Sequence, residues 1–383
     1  MIGRREVMAA LAGGLAMPGI ALAADRRVFT SSIALEDNRV LVAVGMNGKG
    51  PYIFMIDTGT YVSLIRPDLA KQLKLPVQGY EGSRGVGGRG SYAIYRADNF
   101  VIGGGIRQPS VVLEDSFDFG YQSDIYGALA AGILTATDTD LDFDRGELRI
   151  YPDGHGDRSG FVALDSEIPR ADQADRGSRK IMATVLLEGR PIRCVLDTGA
   201  PSVLMLNQTA AKRLGLWDSG RAYAPLRPRG IGGTGPLART IRVESLEMGG
   251  ARHDRPLITL LGDTVGGNVD GILGLSFIRR FNLSIDSRGR KLWVQPSRQS
   301  VPEARYGLSG LWIEQEGGHV TVVAVGAGSP AAAAGMAVGD RIVDVPWDKA
   351  PAAIGGPPGR VVKLAVERGG ARRDVEYTLK PYL

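Results

Sequence analysis

The sequence predicts a mainly β protein built as two matching β-rich lobes, followed by a small α+β unit. Three observations predict it. Glycine is abundant, with 54 glycines and 21 prolines in 383 residues, while aromatics make up only 7%; that profile suits turn-rich β structure rather than long helices. A pattern of about a dozen residues recurs with an offset of 140 positions. After Pro296 the repeat stops and a different pattern begins. At roughly 100–200 residues per domain the length allows two or three domains, and a hydrophobic share of 44% is enough to build cores. The formal charge of +5 is too modest over this length to point to nucleic acid. One cysteine cannot close an internal disulfide, and three scattered histidines do not make a structural zinc site.

The N-terminal residues 1–23 read as an export signal. Arg4 and Arg5 supply the positive start, an Ala/Gly/Leu/Met stretch follows, and Ala21-Leu22-Ala23 is a small-residue cleavage site. The paired arginines leave both the general secretory and the twin-arginine routes open. The stretch is too short and interrupted for a stable membrane anchor. The expectation is therefore a periplasmic or extracellular protein, with a first lobe over 24–158, a second over 159–299, and a C-terminal unit over 302–383.

The repeat defines the lobes. Val40 to Gly48 runs into Pro51 to Thr60, and Ile181 to Gly189 runs into Pro191 to Ala200; each passage is an apolar run, a turn ending in Gly, and a second apolar run delivering Asp-Thr-Gly. Glycine clusters follow in both halves, Gly85-Val86-Gly87-Gly88 and Gly230-Ile231-Gly232-Gly233. Gly132-Ile133-Leu134 and Gly271-Ile272-Leu273-Gly274 follow in turn, and each half closes on an acidic β-rich segment. Short apolar-faced helices are expected around Leu69 to Leu73 and Ala210 to Leu214.

About 0.1 copies of Asp-Thr-Gly would arise by chance in such a chain, so two copies in register carry information. Each triplet ends an apolar strand in a tight turn that presents one carboxylate. Thr58 and Thr198 are placed to tie the loops together by hydroxyl–backbone hydrogen bonds, and Gly59 and Gly199 permit a turn that a Cβ would block. If the lobes pack about a pseudo-twofold axis, Asp57 and Asp197 meet at its centre. Two such carboxylates share one proton at moderately acidic pH, giving an acid and a base in one place. The ionised member activates a water for attack on a peptide carbonyl, and the protonated member hydrogen-bonds that carbonyl. No metal or cofactor enters this scheme.

Over residues 28 to 298 the chain resembles a pepsin-type or retropepsin-type aspartic protease with both halves fused in one polypeptide. The resemblance implies the bilobal pepsin-like fold, Asp57 and Asp197 as catalytic residues, and Thr58, Gly59, Thr60, Thr198, Gly199 and Ala200 as their supporting loops. It also implies an extended polypeptide substrate with apolar side chains beside the scissile bond. Thr60 offers a hydroxyl to Asp57 whereas Ala200 offers none, so Asp57 is expected to be the more acidic member and Asp197 to hold the proton. The glycine clusters match a dinucleotide fingerprint only in letters, because β-type sequence and not a helix follows them. By resemblance they are two substrate-covering flaps, with Val86, Gly87 and Gly88 in one and Ile231, Gly232 and Gly233 in the other. The Gly-Ile-Leu segments resemble the strand that backs each catalytic loop, the first copy departing from the pattern at Ala131 and Thr135.

Residues 302 to 383 resemble a bacterial PDZ module on Gly328-Ser329-Pro330-Ala331 to Met336 and Gly339-Asp340-Arg341-Ile342. Gly310, Leu311, Trp312 and Ile313 would be the loop that captures a protein C-terminus. A Pro- and Gly-rich stretch between Val343 and Val361 predicts a truncated groove helix. Cys194, on an apolar strand, is expected to be buried, and His155, His253 and His319 to lie at the surface. The function expected is an aspartic endopeptidase whose C-terminal unit recognises substrate or regulates turnover. The alternatives are an inactive peptide-binding scaffold or an adaptor that recognises protein C-termini.

Overall fold

The computed structural model describes residues 27–116, 124–170, 179–263, 268–301 and 303–383. The expected export signal lies outside the described residues, apart from which no described helix is long and apolar enough to cross a membrane.

Each lobe is organised by a hairpin that ends in Asp-Thr-Gly. In the first, Arg39–Met46 pairs antiparallel with Lys49–Asp57 around Asn47-Gly48, both with positive φ (52° and 71°). In the second, Met182–Leu187 pairs with Arg190–Asp197 around Glu188-Gly189, again with positive φ (50° and 75°). Two left-handed residues in sequence match the twist of the flanking strands, so the turn sets the same register in both halves. A parallel strand lies beside each of these: Ile125–Ala130 beside Lys49–Asp57, and Gly271–Gly274 beside Arg190–Asp197. The first lobe is an eight-stranded sheet and the second a larger sheet of the same plan.

The parallel strands correct one expectation. Asp57 stands opposite Ala130 as Asp197 stands opposite Gly274, so the counterpart of Gly271 to Gly274 is Gly127-Ala128-Leu129-Ala130. Gly132 to Leu134 is instead part of a short helix, Gly132–Thr135, with Leu134 and Thr135 buried beneath it. Ala128 stands where the second copy has Ile272, and Ala130 where it has Gly274, which hides the match from pattern reading.

A six-stranded sheet joins the halves. Asp138–Asp142 of the first lobe pairs with Phe281–Asp286 of the second, and one continuous core includes Phe54, Phe100 and Phe143 from one side and Phe277 and Phe281 from the other. Several buried polar groups cross this junction. Asn282 accepts from the Phe143 N–H at 2.9 Å, and Asp138 accepts from Arg158 and from the Ser287 N–H, each at 2.9 Å. Buried hydrogen bonds of this kind fix the relative position of the lobes better than apolar contact alone. The expected short helices are present as Pro67–Gln72 and Gln208–Arg213, burying Leu69, Ala70, Ala210 and Ala211.

Residues 303–383 form a five-stranded antiparallel sheet with its own core, including Val322, Val366 and Leu379. Ser329 caps the helix Pro330–Ala333 by accepting from the Ala332 N–H. The helix Ala350–Ile354 is only five residues long, as the Pro- and Gly-rich sequence led one to expect. This unit docks on the second lobe at Tyr223. The Tyr223 N–H donates to Ala327, its hydroxyl donates to Val325, and its carbonyl accepts from the Tyr382 hydroxyl, at 3.2, 3.1 and 3.2 Å.

Cys194 is buried, as expected, and burial pushes its thiol pKa well up. Two histidines depart from expectation. His155 packs on Tyr151 and lies 3.1 Å from Asp140, and His253 stacks on Phe277; only His319 is exposed.

Candidate active site

The two Asp-Thr-Gly turns meet tip to tip. Thr58 donates its hydroxyl to the Leu196 carbonyl at 2.7 Å and accepts from the Thr198 N–H at 3.0 Å; Thr198 donates to the Ile56 carbonyl at 2.7 Å and accepts from the Thr58 N–H at 3.1 Å. All four bonds are buried, so this reciprocal grip fixes the spacing of the turns. The carboxyl groups cross over to the opposite glycines. A Cβ on Gly59 would stand 2.3 Å from the Asp197 carboxyl carbon, and one on Gly199 would stand 2.4 Å from that of Asp57. No side chain fits at either position, which is the physical reason each triplet ends in glycine. The two carboxyls are thus close enough for each to act on the other's titration.

Burial and the neighbouring Asp197 charge push the Asp57 carboxyl well above the usual carboxylate range. Burial raises Asp197 too, but there it is opposed by the charge of Lys180, by the neighbouring Asp57 carboxyl, and by N–H donors from Gly199 and Ala200 at 2.8 and 3.1 Å. Among the described residues, the backbone gives Asp57 one donor, Gly59 at 2.9 Å. Asp197 therefore faces more groups that favour its anion than Asp57 does. The asymmetry expected from the Thr60 hydroxyl has a different geometric source. The Thr60 hydroxyl donates to the Asp57 main-chain carbonyl at 3.2 Å and not to its carboxylate, while Ala200 contributes through its backbone.

With this geometry in place, the halves can be compared with known proteins. The aspartyl protease family model matches twice, over residues 42–134 and 183–277. Both lobes are aspartyl protease-like. Among solved structures, the aspartic proteinase from Irpex lacteus aligns with 71% of this chain and 98% of its own, at 14% identity and a TM-score of 0.46. Basic 7S globulin from soybean aligns with 71% of this chain and 95% of its own, at 8% identity and a TM-score of 0.40. No curated protein sequence matches significantly.

Each aspartyl protease-like lobe extends a glycine-tipped hairpin, and the tips interlock. The first hairpin pairs Val77–Gly85 with Gly88–Ile102 and the second pairs Arg229–Gly230 with Gly233–Thr234. The Gly87 N–H donates to the Ile231 carbonyl at 3.0 Å, and the Gly232 N–H donates to the Tyr92 hydroxyl at 3.2 Å. A Cβ on Gly87 would come within 2.2 Å of the Gly233 carbonyl oxygen. Ile231 packs against a first-lobe cluster that includes Leu41 and Met55, and Arg84 of the first hairpin pairs with Asp263 at 3.3 Å. A cavity of about 440 Å³ is framed by these hairpins and Asp263; neither dyad aspartate lines it.

The loop residues expected to capture a C-terminus are placed differently from an open cradle. Leu311 and Ile313 point into the core, and Trp312 donates to Glu314. The Gly310 N–H is taken by the Gly307 carbonyl and the Leu311 N–H by the Ser309 hydroxyl.

Sequence reading missed Lys180. Leu196 donates its N–H to the Ile181 carbonyl at 2.9 Å, and the register from Met182 and Val195 continues to set Lys180 beside Asp197. Its ammonium lies 4.1 Å from the centre of the Tyr61 ring, in the opposite lobe. The available signal was the repeat itself, since Arg39 holds the matching place at the start of the first-lobe strand.

Proposed function

We propose that the chain is an aspartic endopeptidase that cleaves extended polypeptides between its two lobes. The observation that carries this reading is the placing of the Asp57 and Asp197 carboxyls against each other's glycines across the Thr58–Thr198 grip; in the proposed scheme the shared proton starts on Asp57. Asp197 takes a proton from a water held between the carboxyls, and the water oxygen attacks the peptide carbonyl carbon. Asp57 gives its proton to the carbonyl oxygen, forming a neutral gem-diol. Proton return to Asp57 from a diol hydroxyl and delivery from Asp197 to the amide nitrogen then break the C–N bond and regenerate the dyad. The glycine-tipped hairpins act as flaps, whose backbones approach the substrate closely and must part to admit it.

The C-terminal unit is read as a PDZ-like domain that regulates turnover. Its support is the ion pair between Glu314 and Arg227, which precedes the second flap. With the Gly310 and Leu311 N–H groups already satisfied inside the chain, the adaptor reading has less behind it than the enzyme. Residues 1–23 are read as an export signal, placing the enzyme in the periplasm or outside the cell.

The test is cleavage of a peptide library by the full chain beside Asp57→Asn and Asp197→Asn. Turnover in wild type that falls by about 10²–10⁴-fold in each variant supports the enzyme. Binding without cleavage in all three supports the scaffold and refutes the enzyme.

A further inference from the structure

The pseudo-twofold axis makes a prediction that the side chains break. Residues 38–39 of the first lobe and Lys180 of the second hold related places, each directed at the residue that follows the opposite Asp-Thr-Gly-x loop. On one side the contact is closed. Asn38 donates to the Pro201 carbonyl at 2.7 Å and to the Ser276 hydroxyl at 2.9 Å, and Ser276 itself donates to Pro201. On the other side Lys180 rests on the ring of Tyr61, which is 45% exposed. No carboxylate among the described residues lies within ion-pair distance of the ammonium. A cation against an aromatic face, partly desolvated and beside the dyad, has a donor set that a substrate carboxylate would complete.

We propose that Lys180 and Tyr61 form a charged subsite selecting substrates with an Asp or Glu side chain within three residues of the scissile bond. This rests on the endopeptidase reading and adds a substrate class to it. The side-chain carboxylate accepts from the Lys180 ammonium while the adjoining methylenes lie on the Tyr61 ring. The titratable and charged groups facing Lys180 are Asp197 and Asp57, so an acidic side chain must sit on the Tyr61 side of the ammonium, away from the dyad anion.

The experiment uses paired peptides that differ only by Glu or Gln at each position from three before to three after the cleaved bond. Wild type, Lys180→Met and Lys180→Arg are compared by the ratio of kcat/KM for the two members of each pair. The expected result is a ratio of about 10 in favour of Glu at one position, retained by Lys180→Arg and reduced to near 1 by Lys180→Met. Binding of the same pairs to Asp57→Asn gives a second readout that needs no turnover. A ratio near 1 at every position in wild type, or a Glu preference that survives in Lys180→Met, overturns the subsite. A shift of the pH profile in Lys180→Met with all ratios unchanged assigns the lysine to the dyad alone and also overturns it. If wild type cleaves nothing, the endopeptidase reading fails, and the Glu/Gln difference in binding still decides the subsite.

Discussion

The Ala200 N–H donates to the Asp197 carboxylate over 3.1 Å, whereas its counterpart Thr60 directs its hydroxyl to the Asp57 main-chain carbonyl. Two identical triplets thus give two unequal acids. Because the Asp57 pKa is raised the more strongly of the two, the folded chain holds its proton to higher pH than the unfolded chain does. Stability falls as pH rises from the unfolded carboxyl pKa through the folded one. Asp57→Asn removes that titration. Its melting temperature should match wild type near pH 3 and exceed it increasingly above about pH 4, a gain on the order of 1 kcal/mol or more. Asp197→Asn should gain less. Equal pH profiles for the two variants in a thermal melt series would contradict the proton assignment.

The reciprocal grip of Thr58 and Thr198 predicts a large cost for a small change. Thr→Val keeps the shape but leaves buried backbone groups without partners, so each variant should lose about 2–4 kcal/mol in urea unfolding. Thr→Ser, which keeps the hydroxyl, should lose about 1 kcal/mol. The double valine variant should cost less than the two single losses added, because each single change already breaks bonds made by both residues.

The interlocked hairpins are tested at Gly87. An alanine there meets the Gly233 carbonyl at 2.2 Å, so Gly87→Ala should hold the tips apart and lower kcat/KM by about tenfold or more. Gly82→Ala on the same hairpin is the control, since its new Cβ finds nothing nearer than 3.9 Å. Equal activity of the two variants would count against flap closure as part of turnover.

The Arg227–Glu314 pair links the C-terminal unit to the segment that leads into the second glycine-tipped hairpin. Glu314→Gln should release that link without disturbing the unit's core. Amide exchange over residues 229–235 should then quicken severalfold, and KM should change with it. Unchanged exchange and unchanged kinetics would leave the C-terminal unit a passive neighbour.

The sequence by itself determined the two-lobed plan, the Asp-Thr-Gly turns, the glycine hairpins and the separate C-terminal unit. These are local matters: two-residue periodicity, left-handed turn residues, and glycine where no Cβ fits all leave their mark within a few positions of the chain. It also showed that Asp57 and Asp197 are equivalent by repetition. Only the tertiary structure decided how they differ. Which acceptor the Thr60 hydroxyl takes, that Gly127 to Ala130 and not Gly132 to Leu134 backs Asp57, and that Lys180 crosses to Tyr61 all depend on contacts between distant segments. Hydrogen bonds and charge act over a few ångströms of space, and no spacing along a single strand encodes which distant group will fill them.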